Sequence, residues 1–500
     1  LRFVLYEKDD LMLICPEQLV DKRIPHLHVE AISKLPSFHS PELNSSFKYS
    51  TELQSILSGR RLLLDDIPFQ INILQEHYEN GYAKYSKGIT NKNNQYSCVR
   101  CGNEEQRLFA SFLCARCEKQ CVYCRHCLML GRVSQCTPLV HWIGPLVEYN
   151  PLDNPLQWKG TLSKGQEQAS KHIVNAIDNE SELLVWAVCG AGKTEVLFEG
   201  INYALKNGKR VCIATPRTDV VKELTPRLKQ AFPRVEVSSL YGGSEDKSAQ
   251  GKLLISTTHQ LLRLYQTFDV LIIDEVDAFP YSADRSLVFA VNQAKKEHAS
   301  IIYLTATPSI EMQNRITKKD LPVVKIPRRY HGYNLPVPTF EWCGNWQKKL
   351  KKNKLPLVID LWIKERVEIN KQLFIFVPTV DMLEQVTNLI EKITSRVDGV
   401  HAEDPNRHEK VEKFRNGETL VLVTTTILER GVTVANIDVA VFGSDEPVFT
   451  ESALVQMAGR VGRSASFPSG DVRFFHFGKT KAMIAAKNHI EAMNKEEGKQ

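Results

Sequence analysis

The segment Ala187-Val188-Cys189-Gly190-Ala191-Gly192-Lys193-Thr194 constrains this chain more than any other feature. It directly continues the apolar run 183–188, and residues 195–205 after it read as a helix. A strand, a Gly-rich turn, a Lys-Thr pair and a helix in that order match the phosphate-binding loop, with Ala187 in place of the usual first Gly. Gly190 and Gly192, with Ala191 between them, let backbone N–H groups turn inward around phosphate oxygens. The helix that follows adds a favourable dipole. Lys193 reaches the β- and γ-phosphates, and the Thr194 hydroxyl holds Mg²⁺. A Gly-rich turn that merely precedes a helix is the competing reading, and the presence of all four features weighs against it.

Downstream, Asp274-Glu275-Val276-Asp277 closes the apolar run 270–273. A strand end projects its carboxylates towards the phosphate site. Asp274 is expected to hold Mg²⁺ and Glu275 to orient and activate the attacking water. Paired acids at a strand end are otherwise plain loop residues, but the phosphate loop upstream gives these a purpose.

Around these motifs, short apolar runs alternate with helical stretches. Runs at 183–188, 210–214, 252–256, 270–273 and 300–304 define one α/β lobe over 158–326. Runs at 373–377, 397–400, 419–424, 438–442 and 471–477 define a second over 345–490. Such alternation implies mostly parallel sheets covered on both faces, with ligands at the strand ends. Residues 327–338 break the pattern. The basic stretch Trp346, Lys348, Lys349, Lys351, Lys352, Lys354 reads as a solvated helix face in preference to a phosphate contact. Residues 1–90 carry no motif, 84–94 read as a polar linker, and 494–500 as a frayed end. At 500 residues and 43% hydrophobic composition, about three or four domains are expected.

Other function classes are excluded or left weak. No apolar run approaches the ~18 residues that span a bilayer. Residues 1–10 lack a basic segment followed by an apolar core, so no secretory leader is expected and the chain reads as cytoplasmic. The net charge of +6 fits a nucleic-acid binder without requiring one.

Eight of the twelve cysteines fall between Cys98 and Cys136, a density that favours metal over disulfides in a reducing compartment. Cys98-x2-Cys101 and Cys114-x2-Cys117 form the most natural Zn²⁺ ribbon within 91–140. Cys121, Cys124, Cys127 and Cys136 form a second site, interleave with the first, or are left over from a single zinc. An iron–sulfur cluster is disfavoured because the usual Cys-Pro ending is absent. His126 is a substitute ligand or, more commonly for its setting, an exposed histidine. Cys189 offers only its backbone. Cys212 and Cys343 are packing residues, Trp158 and Trp186 core or lobe-edge residues, and His401 a surface residue.

Further segments carry a resemblance. Leu162-Ser163-Lys164-Gly165-Gln166, Ala214-Thr215-Pro216-Arg217, Ser256-Thr257-Thr258-His259-Gln260, Thr305-Ala306-Thr307, the stretch 423–431 and Gln456-Met457-Ala458-Gly459-Arg460-Val461-Gly462-Arg463 together resemble the superfamily-two helicases. The resemblance covers roughly 158–480 and implies two RecA-like lobes. It implies an adenine contact at Gln166 and nucleic-acid contacts at Pro216, Arg217, Thr257, Thr258 and Thr425. It further implies coupling of hydrolysis to lobe movement through Thr305 and Thr307, and ATP contacts from Gln456, Arg460 and Arg463. The two arginines, on the second lobe, reach the γ-phosphate only when the lobes close.

A cysteine module placed before the motor, the acidic motif ending in Val276-Asp277, and Tyr123-Cys124-Arg125-His126-Cys127-Leu128-Met129-Leu130-Gly131-Arg132 resemble the ComFA family of late-competence proteins. The PriA replication-restart family is similar too, but inserts its zinc sites after the first lobe has begun. The ComFA resemblance implies an ATP-, Mg²⁺- and Zn²⁺-dependent translocase that pulls single-stranded DNA during uptake. It also implies partnership with other competence proteins and a membrane DNA channel at the inner face of the membrane. Replication restart, RNA remodelling and a nucleotide-switched clamp without stepping are the alternatives. Clamps of that kind lose the catalytic Glu or the finger Arg, whereas Lys193, Thr194, Asp274, Glu275, Arg460 and Arg463 are all present.

Overall fold

Runs of Val, Ile and Leu that are apolar on both faces form strands only where both faces are covered, and two parallel sheets of this kind organise the chain. The computed structural model describes residues 1–20, 28–244, 250–428 and 434–496. The first lobe is a seven-stranded sheet in the order Val237–Leu240, Leu253–Thr257, Val211–Thr215, Phe268–Asp274, Lys295–Thr305, Glu182–Ala187, Val323–Ile326, parallel at every pairing. The second is six-stranded and parallel, in the order Thr339–Trp342, Val472–His476, Ile437–Phe442, Gln372–Phe376, Val421–Thr424, Val397–Val400.

Three strands went unexpected: Val237–Leu240, Val323–Ile326 and Thr339–Trp342. All three lie at sheet edges. An edge strand is covered less fully, and Thr339–Trp342 has no buried residue. The lysine-rich stretch behaves as expected, with Trp346 and Leu350 buried and the lysines exposed. The expected frayed end is corrected as far as residue 496. Helix Lys481–Lys495 runs through Asn494, whose side chain bonds both N–H and C=O of Leu335. Residues 497–500 lie outside the described residues.

The polar stretch 84–94 is no linker. Ala83–Ser86 is a strand with Tyr85 buried, and Ile89–Lys92 pairs with Gln95–Cys98, so the expected boundary at residue 90 falls inside a hairpin. Ala83–Ser86 pairs with Leu139–Trp142, which also pairs with Arg61–Leu63. The chain therefore leaves this small sheet, runs through all eight clustered cysteines, and returns to it. Residues 1–90 contribute a second antiparallel sheet (Leu11–Pro16, Phe3–Lys8, His28–Glu30) and helices Thr51–Leu57 and Ile71–Glu79. Their core mixes aliphatic side chains with the aromatics Phe3, Tyr78 and Tyr85, and Trp142 of the returning strand joins it.

The cysteine module is seated on the motor. Alternation along strand Val211–Thr215 sends Val211 and Ile213 to one apolar cluster with helices Lys164–Asp178, Phe198–Lys206 and Thr218–Ala231. Cys212 and Ala214 go to the other, which contains Leu287 and Ala290 of helix Arg285–Ala294 together with Cys98, Cys101, Cys124 and Cys127. Gly102, at φ +68°, lies against Phe289 so closely that a Cβ would stand 2.6 Å from its ring. Gly102→Ala is therefore expected to destabilise the protein by about 1–3 kcal/mol, read as a lower unfolding midpoint for both module and first lobe in calorimetry.

Candidate functional site

Strand Glu182–Ala187 runs straight into the phosphate loop. Gly190 and Gly192 adopt φ of +82° and +70°, which side chains resist. A Cβ at Gly192 would also stand 2.4 Å from Gln166 Nε2. The loop opens on a cleft of about 700 Å³ that gathers Gln166, Gly190, Ala191, Gly192, Lys193, Thr194, Asp274, Glu275, Gln456 and Arg463. Residues read separately along the sequence thus meet at the ends of parallel strands and across the gap between lobes.

Within this set the roles differ in geometry. Gln166 closes the capping box of helix Lys164–Asp178, accepting from Ser163 N at 2.8 Å. Its Nε2 donates to Ala191 O at 2.8 Å, so its carboxamide ties that helix to the phosphate loop. Glu275 has φ +57°, a left-handed conformation that costs a non-glycine residue about 1–3 kcal/mol. Its N–H donates to Asp274 Oδ1 at 2.9 Å, so the strained peptide holds both acids at the strand end. Arg460 is buried behind the cleft. Burial, with Arg463 as a like charge, drives its pKa well down, and Glu275 is among the groups that oppose the shift.

Asp277 is the residue that sequence reading quoted but did not promote. Its Oδ1 accepts from Thr305 Oγ1 at 2.7 Å and its Oδ2 from Thr307 Oγ1 at 2.7 Å. Ser452, from helix Glu451–Ala458 of the second lobe, donates to the same Oδ2 at 2.5 Å and lies 2.8 Å from Thr307 Oγ1. One carboxylate thus joins the acidic motif, the Thr305-Ala306-Thr307 motif and the opposite lobe. Nothing in sequence marks Ser452, a serine in the first turn of an ordinary helix. Trp158, Tyr330 and Arg227 also line the cleft. Gly160 lies against the ring of Trp158, where a Cβ would stand 2.1 Å from it.

Further contacts hold the lobes together. The Cys189 thiol, expected to be passive, donates to Gln456 Oε1 at 3.1 Å. It approaches because Gly459 has no side chain: a Cβ there would stand 2.5 Å from that of Cys189. Arg217 Nη2 donates to Ile427 O at 3.0 Å, and Arg407 pairs with Asp219 at 2.5 Å. Of the residues matched to nucleic-acid contacts, Arg217 therefore bridges the lobes. Pro216, Thr257 and Thr258 are buried at strand ends, and Thr425 is half-buried beyond Val421–Thr424. Residues 429–431 of the stretch 423–431 lie outside the described residues.

The cysteines form two interleaved sets, Cys98, Cys101, Cys124, Cys127 and Cys114, Cys117, Cys121, Cys136. This corrects the pairing of the first four into one ribbon. The antiparallel hairpin Phe109–Cys114/Lys119–Cys124 is the cause. Its turn gathers Cys114, Cys117 and Cys121, while its other end delivers Cys124 to the Ile89–Lys92/Gln95–Cys98 hairpin. Sulfur–sulfur distances are 3.8 Å for Cys98–Cys127 and Cys101–Cys124, and 3.6 Å for Cys114–Cys136. A zinc tetrahedron with Zn–S of about 2.3 Å has edges of about 3.8 Å, so both sets fit zinc. A four-iron cube would spread its thiolates wider. His126 is in neither set; its Nε2 lies 2.8 Å from Ser286 Oγ and 3.5 Å from Asp284.

Two measurements follow from this geometry. Asp277→Asn sets an amide N–H₂ against hydroxyl donors, so nucleotide hydrolysis should fall roughly 10- to 100-fold with nucleotide affinity little changed, as read by steady-state kinetics beside fluorescent-nucleotide binding. Zinc content by mass spectrometry should be two ions per chain, and Cys98→Ser or Cys136→Ser should each remove one.

Known proteins resemble this chain in sequence. Residues 44–141 match the Competence protein ComFA N-terminal domain, 159–310 the Type III restriction enzyme, res subunit, and 353–465 the Helicase conserved C-terminal domain. Competence protein ComFA of Bacillus subtilis (strain 168) is 49% identical over 453 residues, covering 91% of this chain and 97% of its own. That of Streptococcus pneumoniae (strain ATCC BAA-255 / R6) is 38% identical over 378 residues, 75% of this chain and 86% of its own. Replication restart protein PriA of Rickettsia prowazekii (strain Madrid E) is 28% identical over 231 residues, 43% of this chain and 35% of its own. With the cysteine-bearing region and both lobes matched, the chain belongs to the ComFA family of ATP-dependent superfamily-two helicases.

Proposed function

We propose that this protein is a single-stranded-DNA-dependent ATPase that translocates DNA during uptake in natural transformation. The observation that carries the reading is the cleft itself, where a complete hydrolytic set stands at a gap bridged by Asp277–Ser452, Cys189–Gln456 and Arg217–Ile427.

In this reading Lys193 and the loop amides hold the triphosphate, and Thr194 and Asp274 would hold Mg²⁺, which neutralises charge on the β- and γ-phosphates. Glu275 orients a water and takes its proton as the water oxygen bonds to the γ-phosphorus and the bond to the β-bridging oxygen breaks. Arg463, with Arg460 behind it, balances charge that develops on the γ-phosphoryl oxygens. Once phosphate leaves, the lobes lose a shared anion and part. Pro216, Arg217, Thr257, Thr258 and Thr425, at strand ends on both lobes, then change their spacing along a strand held by its backbone. The two cysteine sets would hold zinc, which would fold a module that has little core of its own.

The ComFA relationship supports partners among other competence proteins and a membrane DNA channel at its cytoplasmic face. Among the described residues no helix is long and apolar enough to cross a membrane, so in this reading the channel is a separate protein.

Steady-state ATP hydrolysis with no nucleic acid, single-stranded DNA, duplex DNA and RNA tests the proposal. Single-stranded DNA should stimulate most. Equal stimulation by RNA would favour RNA remodelling, and none at all a nucleotide-switched clamp. Lys193→Ala should abolish turnover. Glu275→Gln should bind ATP and DNA yet hydrolyse ~10²–10⁴-fold more slowly; full turnover would remove Glu275 from its role.

A further inference from the structure

By sequence, residues 327–338 only interrupt the strand–helix alternation. In the structure, three of them lie between the phosphate loop and the arginine motif, and Tyr330 lines the cleft. The Tyr330 N–H donates to Gly190 O at 3.0 Å, fixing the segment to the phosphate loop. The Arg329 side chain lies along Gly190, its Cγ and Nε 3.6 and 3.9 Å from the place a Cβ would take. On the other wall, Arg329 Nη1 donates to Gly462 O, and His331 Nε2 lies 3.1 Å from the same oxygen. Gly462 immediately precedes Arg463. It needs to be glycine: its φ is +71°, and a Cβ would stand 2.6 Å from Arg329 Nη1 and 2.3 Å from Pro468 O.

Arg329 is 1% exposed, and among the described residues it forms no ion pair and its Nε and Nη2 have no hydrogen-bond partner. A buried charge without a counter-ion destabilises a fold, so packing does not account for it. Burial lowers its pKa to about 10, opposed by Cys189 and reinforced by Arg463, so it stays cationic at neutral pH.

We propose that Arg329 is a positioning residue for Arg463, relaying occupancy of the phosphate loop to Gly462 and so setting where the finger stands. The inference rests on the reading of Arg463 as a finger. Polyphosphate in the loop brings negative charge to a cation that lacks it, and the segment draws Gly462 in with it. Loss of phosphate releases the same tie.

The test uses the full, metal-loaded chain. Wild type, Lys193→Ala, Arg329→Ala, Arg329→Lys, Arg463→Ala and the Arg329→Ala/Arg463→Ala double variant are compared for kcat and KM of DNA-stimulated hydrolysis. Affinity and stoichiometry for a fluorescent ATP analogue, and the unfolding midpoint, are measured alongside. Arg329→Ala should lower kcat ~10-fold or more while analogue affinity stays within ~3-fold, the signature of an interaction made in the transition state. Arg329→Lys should recover part of the loss, since an ammonium can still donate to Gly462 O. The double variant should be no worse than Arg463→Ala, because residues that act as one unit are non-additive. The inference is overturned by a wild-type kcat in Arg329→Ala, by losses that multiply in the double variant, or by a kcat loss that tracks binding stoichiometry. If Arg463→Ala keeps full turnover while Lys193→Ala is inactive, the finger assignment fails and takes this inference with it, leaving the ATP site standing.

Discussion

The first lobe's parallel sheet must bury both faces, and everything that matters for function follows from how it does so. Three helices cover one face, and helix Arg285–Ala294 together with the Cys98, Cys101, Cys124 and Cys127 cluster covers the other. With both faces closed, only the strand ends remain open. Because the strands are parallel, one edge collects their C-terminal ends, as expected for ligand sites in such sheets. There the phosphate loop, Asp274, Glu275, Thr215, Thr257 and Thr305 come to one rim. The cysteine module thus supplies part of the cover on one face of the first lobe's sheet.

At that rim the two lobes meet through polar groups with little slack, beside an apolar cluster that holds residues of both. Asp277 accepts from three hydroxyls, one of them from the second lobe. The Cys189 thiol reaches Gln456 over a glycine. Each contact is short and has one geometry, so a small opening of the gap breaks it outright. Glu275 is held in a left-handed backbone, and Arg460 is buried behind it, where desolvation pushes its pKa down. The strained backbone of Glu275 thus stands where nucleotide is to bind.

How much of this was legible depends on the kind of information involved. The phosphate loop, the acidic pair and the arginine motif were readable because each needs particular residues at adjacent positions, and the strand-end placement of the first two followed from the alternation. Asp277 was visible as part of its motif, but its role depends on Ser452, which no local pattern marks. The cysteine spacing told which two thiols share a corner but not which corners meet. That is decided by a hairpin register, a long-range property. Edge strand Thr339–Trp342 was missed because none of its residues is buried, and residues 1–90 because a mixed aliphatic and aromatic core built from short pieces leaves no periodic trace.

The path of the chain through the small sheet at Arg61–Leu63, Ala83–Ser86 and Leu139–Trp142 bears on synthesis. All eight clustered cysteines leave the ribosome long before Phe289 and Leu287, the residues that cover their motor-facing side. At ~5–20 residues per second, the nascent module waits roughly 10–30 s with that apolar side uncovered. Metal captured during this interval would give the growing chain a folded N-terminal unit on which the first lobe can assemble, whereas a zinc-starved cell would present its chaperones and proteases with an open thiol-rich loop.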